Sequence, residues 1–326
     1  MSGQPLLEVS HVKKRFPIKR GFSTKSRFFY AVDDVSFRME EGESVGIIGE
    51  SGCGKTTLAR LIAGLEQATE GEILFHGSSV HAKMGRDMRK SIQMIYQDPY
   101  ASVDPRMDLW GILEEPLRIQ SNMKRSQAEK IIMPLLETMG FTEDSLSKYP
   151  HEFSGGQIQR ICILRSLVLS PKLLICDEPV SSLDVSIQAQ ILNLLKKLQS
   201  EKSLAYLVIS HDMSVIHHIS DRIIVMYLGQ IVETATKHDL FANTQHPYTK
   251  ALIAAIPNAD PAKKQKKAIL SGEASRAAQE KPGCLFQDRC ERACALCYDQ
   301  RPDMLPVNTG HYVACHDVQT MARKDS

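Results

Sequence analysis

Residues 49–56 read Gly49-Glu50-Ser51-Gly52-Cys53-Gly54-Lys55-Thr56, a G-x-x-x-x-G-K-T stretch, and its flanks decide what it means. The apolar run Ser44-Val45-Gly46-Ile47-Ile48 ahead of it predicts a strand. Behind it Leu58, Leu61, Ile62 and Leu65 fall at helical spacing and predict a helix with one apolar face. Strand, glycine loop and helix in that order aim consecutive backbone N–H groups and a helix N-terminus at an anion. Glycine lets the backbone curl tightly and approach phosphates with no Cβ between them. Lys55 can then reach the β and γ phosphates, and the Thr56 hydroxyl can ligate Mg²⁺. An ordinary glycine-rich turn is the plainer reading, but motif and context agree against it. Gly49, Ser51, Gly52, Cys53, Gly54, Lys55, Thr56 and Thr57 are the candidate nucleotide-binding residues, and the stretch implies a nucleoside-triphosphate site.

At 326 residues the chain can build one large or two moderate domains with a full core. No apolar run is long enough to cross a bilayer, and the start lacks a signal-peptide plan. Both point to a cytosolic product whose thiols stay reduced. The net charge of +2, from 40 basic and 38 acidic residues, gives no general argument for nucleic acid. Two basic clusters, Lys13-Lys14-Arg15 with Lys19-Arg20 and Lys263, Lys264, Lys266 and Lys267, read as solvated surface charge.

Residues 6–12 and 31–39 read as strands, with an exposed basic loop from Lys19 to Arg27 between them. Residues 71–77 form another short strand. Ile92 to Tyr96 follows, with Gln97 at its end. From Ala101 to Leu169 the pattern is helical, punctuated by Pro116, Pro134 and Pro150. Phe153-Ser154-Gly155-Gly156-Gln157 opens a helical run to Leu169. Ser154 and Gln157 have capping-box spacing, and a capped glycine-rich helix start also presents N–H donors to phosphate. Leu173-Leu174-Ile175-Cys176-Asp177-Glu178 reads as a buried strand ending in two carboxylates. One suits a magnesium shell, and the other can orient or deprotonate an attacking water. Such pairs are common, but about 120 residues beyond a phosphate loop the pair gains force. Ser182-Leu183-Asp184 precedes a helix with the apolar stripe Ile187, Ile191, Leu194, Leu195 and Leu198. Leu204 to Ile209 predicts a further core strand, with His211 just beyond it, where ligands bind in open α/β sheets. A strand-end Gln97 or His211 taken alone would be an ordinary turn or structural residue.

Taken in order, the phosphate loop, Gln97, the Ser-Gly-Gly-Gln signature, Asp177-Glu178, Asp184 and His211 resemble the ATPase subunit of an ABC transporter across residues 6–240. The resemblance implies an α/β phosphate-loop core with an N-terminal antiparallel β element and a helical subdomain near residues 98–169. It also implies two ATPase domains closing head to tail, so that Ser154, Gly155, Gly156 and Gln157 of one complete the ATP site of the other. Phe16 matches the aromatic that stacks on adenine. Thr56 and Gln97 would hold Mg²⁺, with Asp177 in support, Glu178 as general base and His211 as γ-phosphate sensor. Most relatives carry Tyr at the Phe16 position and Leu at Phe153, which are mild departures.

The tail, residues 241–326, resembles the C-terminal extension of oligopeptide and dipeptide importers at His246-Pro247-Tyr248-Thr249 and from Gly283-Cys284 to Cys315-His316. That likeness implies a second ATPase subunit, two membrane subunits and an extracytoplasmic binding protein as partners. This chain would be the F-type ATPase, peripheral on the cytoplasmic face. The tail cysteines run C-x5-C-x3-C-x2-C-x17-C, a crowding that suits zinc, a 4Fe–4S cluster or unligated thiols. The resemblance implies an iron–sulfur cluster on Cys284, Cys290, Cys297 and Cys315, with Cys294 as the extra. Import of glutathione, nickel chelates or sugars is the alternative within the same machinery. Outside it, a soluble ATPase of DNA repair usually inserts a long coiled coil or zinc module between loop and signature. Only about a hundred residues intervene here, without heptads.

Overall fold

The computed structural model describes residues 4–18, 27–81, 84–181, 183–256 and 275–322. Lys19, Arg20 and the rest of the expected basic loop through residue 26, Ser182, and the lysines at 263, 264, 266 and 267 lie outside these described residues. The chain divides into two compact units. One spans Met1–Met39, Ser44–Val80 and Ser210–Ser326, and the other Glu40–Glu43 and His81–Ile209.

In the first unit Leu7–Ile18 pairs antiparallel with both Arg27–Met39 and Glu70–Phe75, and Ser78–Ser79 adds a short edge. Both long strands outrun their expected bounds. The first continues through Lys13, Lys14 and Arg15 to Ile18 because its pairing with Arg27–Met39 runs on past Val12, Lys14 lying opposite Val32 and Arg15 opposite Tyr30. Lys13 reaches Glu70 at 3.5 Å, and Lys14 donates to the Gln67 carbonyl at 2.8 Å. Phe16 stacks on Phe29 with centroids 5.7 Å apart. A second layer is built on Ser44–Ile48, wholly buried and parallel to Arg222–Tyr227. Gln230–Thr236, His311–Val313 and Leu305–Asn308 follow, each antiparallel to the strand before it. The tail thus adds two strands to the layer that carries the phosphate loop.

In the second unit Ile92–Ile95, Leu173–Asp177 and Ala205–Ser210 run parallel. The latter two are buried along their whole length, as uninterrupted apolar runs require when both faces are covered. Helices Leu109–Ser121, Arg125–Thr138 and Gly155–Leu167 occupy the region expected to be helical. Pro116 and Pro134 do not punctuate it; each lies inside a helix. A mid-helix proline costs about 3 kcal/mol. Burial of Leu113, Leu117, Ile132 and Leu136 offsets it, so packing overrides local propensity. Val185–Lys202 buries Ile191, Leu192, Leu195 and Leu198, while Ile187 and Leu194 are half-buried. The helix after the phosphate loop is shorter than expected. It ends at Ile62, and Leu65, past Gly64 at φ +67°, is 53% exposed.

Candidate nucleotide site

The loop from Gly49 to Gly54 leads directly into helix Lys55–Ile62, whose N-cap is Gly54 and therefore has no side-chain acceptor for the first N–H groups. That leaves the helix start chemically suited to an anion. Two glycines answer to protein neighbours rather than to phosphate. At Gly54 (φ +108°) a Cβ would lie 1.9 Å from the Ala31 carbonyl oxygen, and at Gly49 2.2 Å from that of Met226. Gly52 is different, at φ +77° with nothing within 4 Å of where a Cβ would stand. Lys55 is only 5% exposed, and its Nζ donates to the carbonyls of Gly49 (2.6 Å) and Glu50 (3.0 Å). The far side of the loop is pinned by the hairpin at Leu228-Gly229, where the Gly229 N–H donates to the Cys53 carbonyl at 2.8 Å. Both hairpin residues have positive φ, as a two-residue turn between twisted strands demands. Burial raises the pKa of the Cys53 thiol, which packs as a neutral group. Thr56 and Thr57 lie half-buried in the first turn.

In the second unit Asp177 ends its strand buried, and Glu178 follows in the left-handed region at φ +50°. Its N–H donates to the Ile209 carbonyl at 2.8 Å, which holds that conformation. Non-glycine residues held there cluster at functional sites. Gln97 Nε2 donates to Glu178 Oε2 at 2.9 Å, bringing two expected site residues together. Ser154 and Gln157 form the expected capping box. The Gln157 N–H donates to Ser154 Oγ (3.4 Å), and the Ser154 N–H to Gln157 Oε1 (2.9 Å). A Cβ on Gly156 would stand 2.7 Å from Ile187 Cγ2, so glycine there lets the next helix approach; Gly155 has only Leu183 near, at 3.9 Å. Phe153 packs edge-on against Phe141 in the core. Asp184 caps helix Val185–Lys202; the Ser186 hydroxyl donates to its carboxylate at 2.6 Å and the Ile187 N–H at 3.0 Å, and these bonds, Ser186 first, lower its pKa.

His211 is exposed and follows its strand immediately, and Asp212 caps the helix beyond it. Phe16 is half-buried, with the Lys14 ammonium 5.1 Å from its ring centroid.

The structure lends no support to the iron–sulfur cluster expected on the tail cysteines. Among the described residues no group of three or more His, Cys, Asp or Glu side chains is arranged to hold a metal ion. The residue left over makes a sulfur contact, Cys294 Sγ standing 3.6 Å from Cys297 Sγ. Burial pushes Cys284 up to about 11 and Cys297 to about 12, and raises Cys290 and Cys315. Neighbouring thiols add to the rise, Cys315 and Cys290 at Cys284 and Cys284 at Cys297, so these side chains lie within electrostatic reach of one another.

Other tail residues are wired to the nucleotide loop, a connection that sequence reasoning missed. The Tyr248 hydroxyl accepts from the Glu50 N–H at 2.8 Å, and the Arg289 guanidinium binds both Glu50 carboxylate oxygens. Their motifs were visible, but nothing in their spacing pointed to Glu50.

A phosphate loop, strand-end carboxylates and a Ser-capped glycine helix on parallel strands define an ATP-hydrolysing phosphate-loop enzyme of the ABC class. Residues 32–181 match the ABC transporter family, and residues 232–297 the oligopeptide/dipeptide transporter C-terminal region. The chain is 46% identical over 319 residues to the oligopeptide transport ATP-binding protein OppF of Haemophilus influenzae, covering 95% of this chain and 96% of that protein. It is 42% identical over 318 residues to the dipeptide transport ATP-binding protein DppF of Escherichia coli, covering 97% and 95%. The chain belongs to the ATP-binding subunits of the oligopeptide and dipeptide ABC transporters. Among solved structures it is similar to the dimeric post-hydrolysis state of the ATP-binding cassette MJ0796 bound to ADP and Pi, with TM-score 0.62 and 27% identity over 71% of this chain and 98% of that one. Among the described residues no helix is long and apolar enough to cross a membrane.

Proposed function

We propose that this chain uses ATP to energise peptide import, seated on the cytoplasmic face of a membrane beneath two permease subunits. The observation that carries this reading is the match of residues 232–297 to the peptide-transporter C-terminal region, together with relatives whose names specify oligopeptides and dipeptides. In this reading residues 6–240 are the ATPase domain and 241–326 the extension. A second ATPase subunit and an extracytoplasmic binding protein complete the assembly.

In the proposed cycle Lys55 and the loop amides hold the phosphates and Phe16 stacks on adenine. Stacking needs a π-face more than a hydroxyl, so Phe serves where relatives carry Tyr. Thr56 and Gln97 would hold magnesium, with Asp177 in support, and the ion would neutralise phosphate charge. Glu178 takes the proton of the attacking water, and its contact with Gln97 couples that base to the metal-side amide. His211 hydrogen-bonds the γ-phosphate. Ser154, Gly155, Gly156 and Gln157 face the phosphate loop of the opposed subunit, with Asp184 near the same junction; the dimeric state of the similar cassette supports this arrangement. Most of the catalysis is positioning and charge stabilisation.

The iron–sulfur and zinc expectations for the tail enter no step of this cycle. Iron and zinc analysis of anaerobically purified protein decides between cluster, zinc and free thiols. For transport, the test is uptake by proteoliposomes holding this chain with its membrane and binding-protein partners. Dipeptides or oligopeptides should accumulate with ATP hydrolysis. Accumulation of glutathione, a nickel chelate or a sugar, with peptides ignored, would overturn the cargo while leaving the ATPase reading intact.

A further inference from the structure

Glu50 occupies a position that the G-x-x-x-x-G-K-T pattern leaves open, and the cycle above gives it no task. Three groups nevertheless hold it, each on a different atom. The Tyr248 hydroxyl accepts its N–H at 2.8 Å. Arg289 grips its carboxylate bidentately, Nη1 to Oε2 at 2.9 Å and Nη2 to Oε1 at 2.8 Å. Its carbonyl accepts from Lys55 Nζ at 3.0 Å, so the phosphate-binding ammonium and the tail meet on one residue.

The two tail groups are themselves rigidly set. Tyr248 is fully buried, with its ring 4.7 Å from that of Tyr227 and 5.5 Å from that of Phe286. Arg289 is 9% exposed and donates from Nη1 to the Tyr227 hydroxyl at 3.3 Å as well. Exposed ion pairs between flexible arms contribute little. This pair is bidentate, largely shielded and anchored in an aromatic cluster, the geometry in which guanidinium–carboxylate recognition is strong and directional. Its acceptor lies in the loop that must present N–H groups to phosphate, so a lapse in the grip would reach the loop backbone and Lys55 directly.

We infer that the C-terminal extension is a positioning element of the nucleotide site: Tyr248 and Arg289 set the phosphate-loop conformation and the pose of Lys55 by holding Glu50. This rests on the nucleotide reading of the loop. Neither tail residue is assigned contact with nucleotide; both act through Glu50.

The test uses the full-length chain, with a fluorescent trinitrophenyl-ATP and Mg²⁺ for Kd, and the assembled complex for KM and kcat. Arg289→Ala should weaken binding about tenfold, the loss expected for one charge-assisted pair. KM should rise by more than kcat falls. Arg289→Lys should recover only part of the loss, since an ammonium cannot make the two-point contact. In the Glu50→Gln background, Arg289→Ala should add little, because both changes break the same contact. Full multiplication of the two effects would overturn the inference, as would an unchanged Kd in both Arg289→Ala and Tyr248→Phe. If Arg289→Ala fails to fold, Tyr248→Phe, which removes one oxygen, decides alone: a raised Kd supports the inference and a wild-type Kd rejects it. Absence of nucleotide binding by the wild-type chain would instead remove the nucleotide reading itself.

Discussion

Gln97 donates its side-chain amide hydrogen to the Glu178 carboxylate across 2.9 Å, while the Glu178 backbone stands in the left-handed region at φ +50°. The strained backbone and the amide contact together fix where that carboxylate points. Glu178→Gln should therefore bind ATP within about twofold of wild type and lose turnover by about a hundredfold or more, the range for removal of a general base. Steady-state ATPase rates beside nucleotide Kd values check this. Near-normal turnover would remove the base assignment.

Ser154 has two separable tasks, capping helix Gly155–Leu167 and completing the opposed ATP site. Ser154→Asn keeps a capping acceptor and should leave the melting temperature almost unchanged. Ser154→Arg should cost about 1 kcal/mol of stability through loss of the cap. It should also abolish hydrolysis in the assembled complex while each subunit still binds ATP. An unchanged ATPase rate for Ser154→Arg would count against head-to-tail pairing.

The loop glycines should rank by their neighbours. Gly54→Ala would set a Cβ 1.9 Å from the Ala31 carbonyl oxygen and should destabilise strongly, because backbone rather than a movable side chain stands in the way. Gly52→Ala meets no atom within 4 Å and should cost only about 1–2 kcal/mol for its positive φ. Thermal denaturation of the two variants measures the order, and equal losses would contradict it.

His246 is buried, and burial lowers its pKa from 6.5 to about 4. The unfolded chain therefore binds a proton that the folded chain refuses. This contribution is complete above pH 6.5 and shrinks as pH falls toward 4, by about 3 kcal/mol over the window. His246 Nδ1 accepts from the Tyr248 N–H at 3.1 Å, a cap that His246→Asn can replace. Denaturant titrations between pH 8 and pH 4 should show a shallower acid loss in that variant.

Glu233 anchors the tail to the sheet. Its fully buried carboxylate accepts from His311 Nε2 at 2.8 Å and from the backbone N–H groups of Gln245 and His246. Glu233→Ala strands these buried donors and should destabilise by about 3 kcal/mol or more, measurable by urea denaturation.

Much of this protein follows from local pattern alone. The phosphate loop, the Ser154–Gln157 capping box, the buried strand before Asp177 and the strand before His211 rest on apolar periodicity, glycine and capping chemistry, which act over a few residues and are written in order along the chain. Tertiary structure decided what depends on residues far apart in sequence. Packing carried Pro116 and Pro134 inside helices, exposed Leu65, paired Lys13 with Glu70 and placed Arg289 on Glu50, 239 residues away. It also set the sulfur of Cys294, the residue outside the expected ligand set, 3.6 Å from that of Cys297. Spacing limits which groups can meet. Only burial and the direction of each side chain, set once the layers pack, determine which ones do.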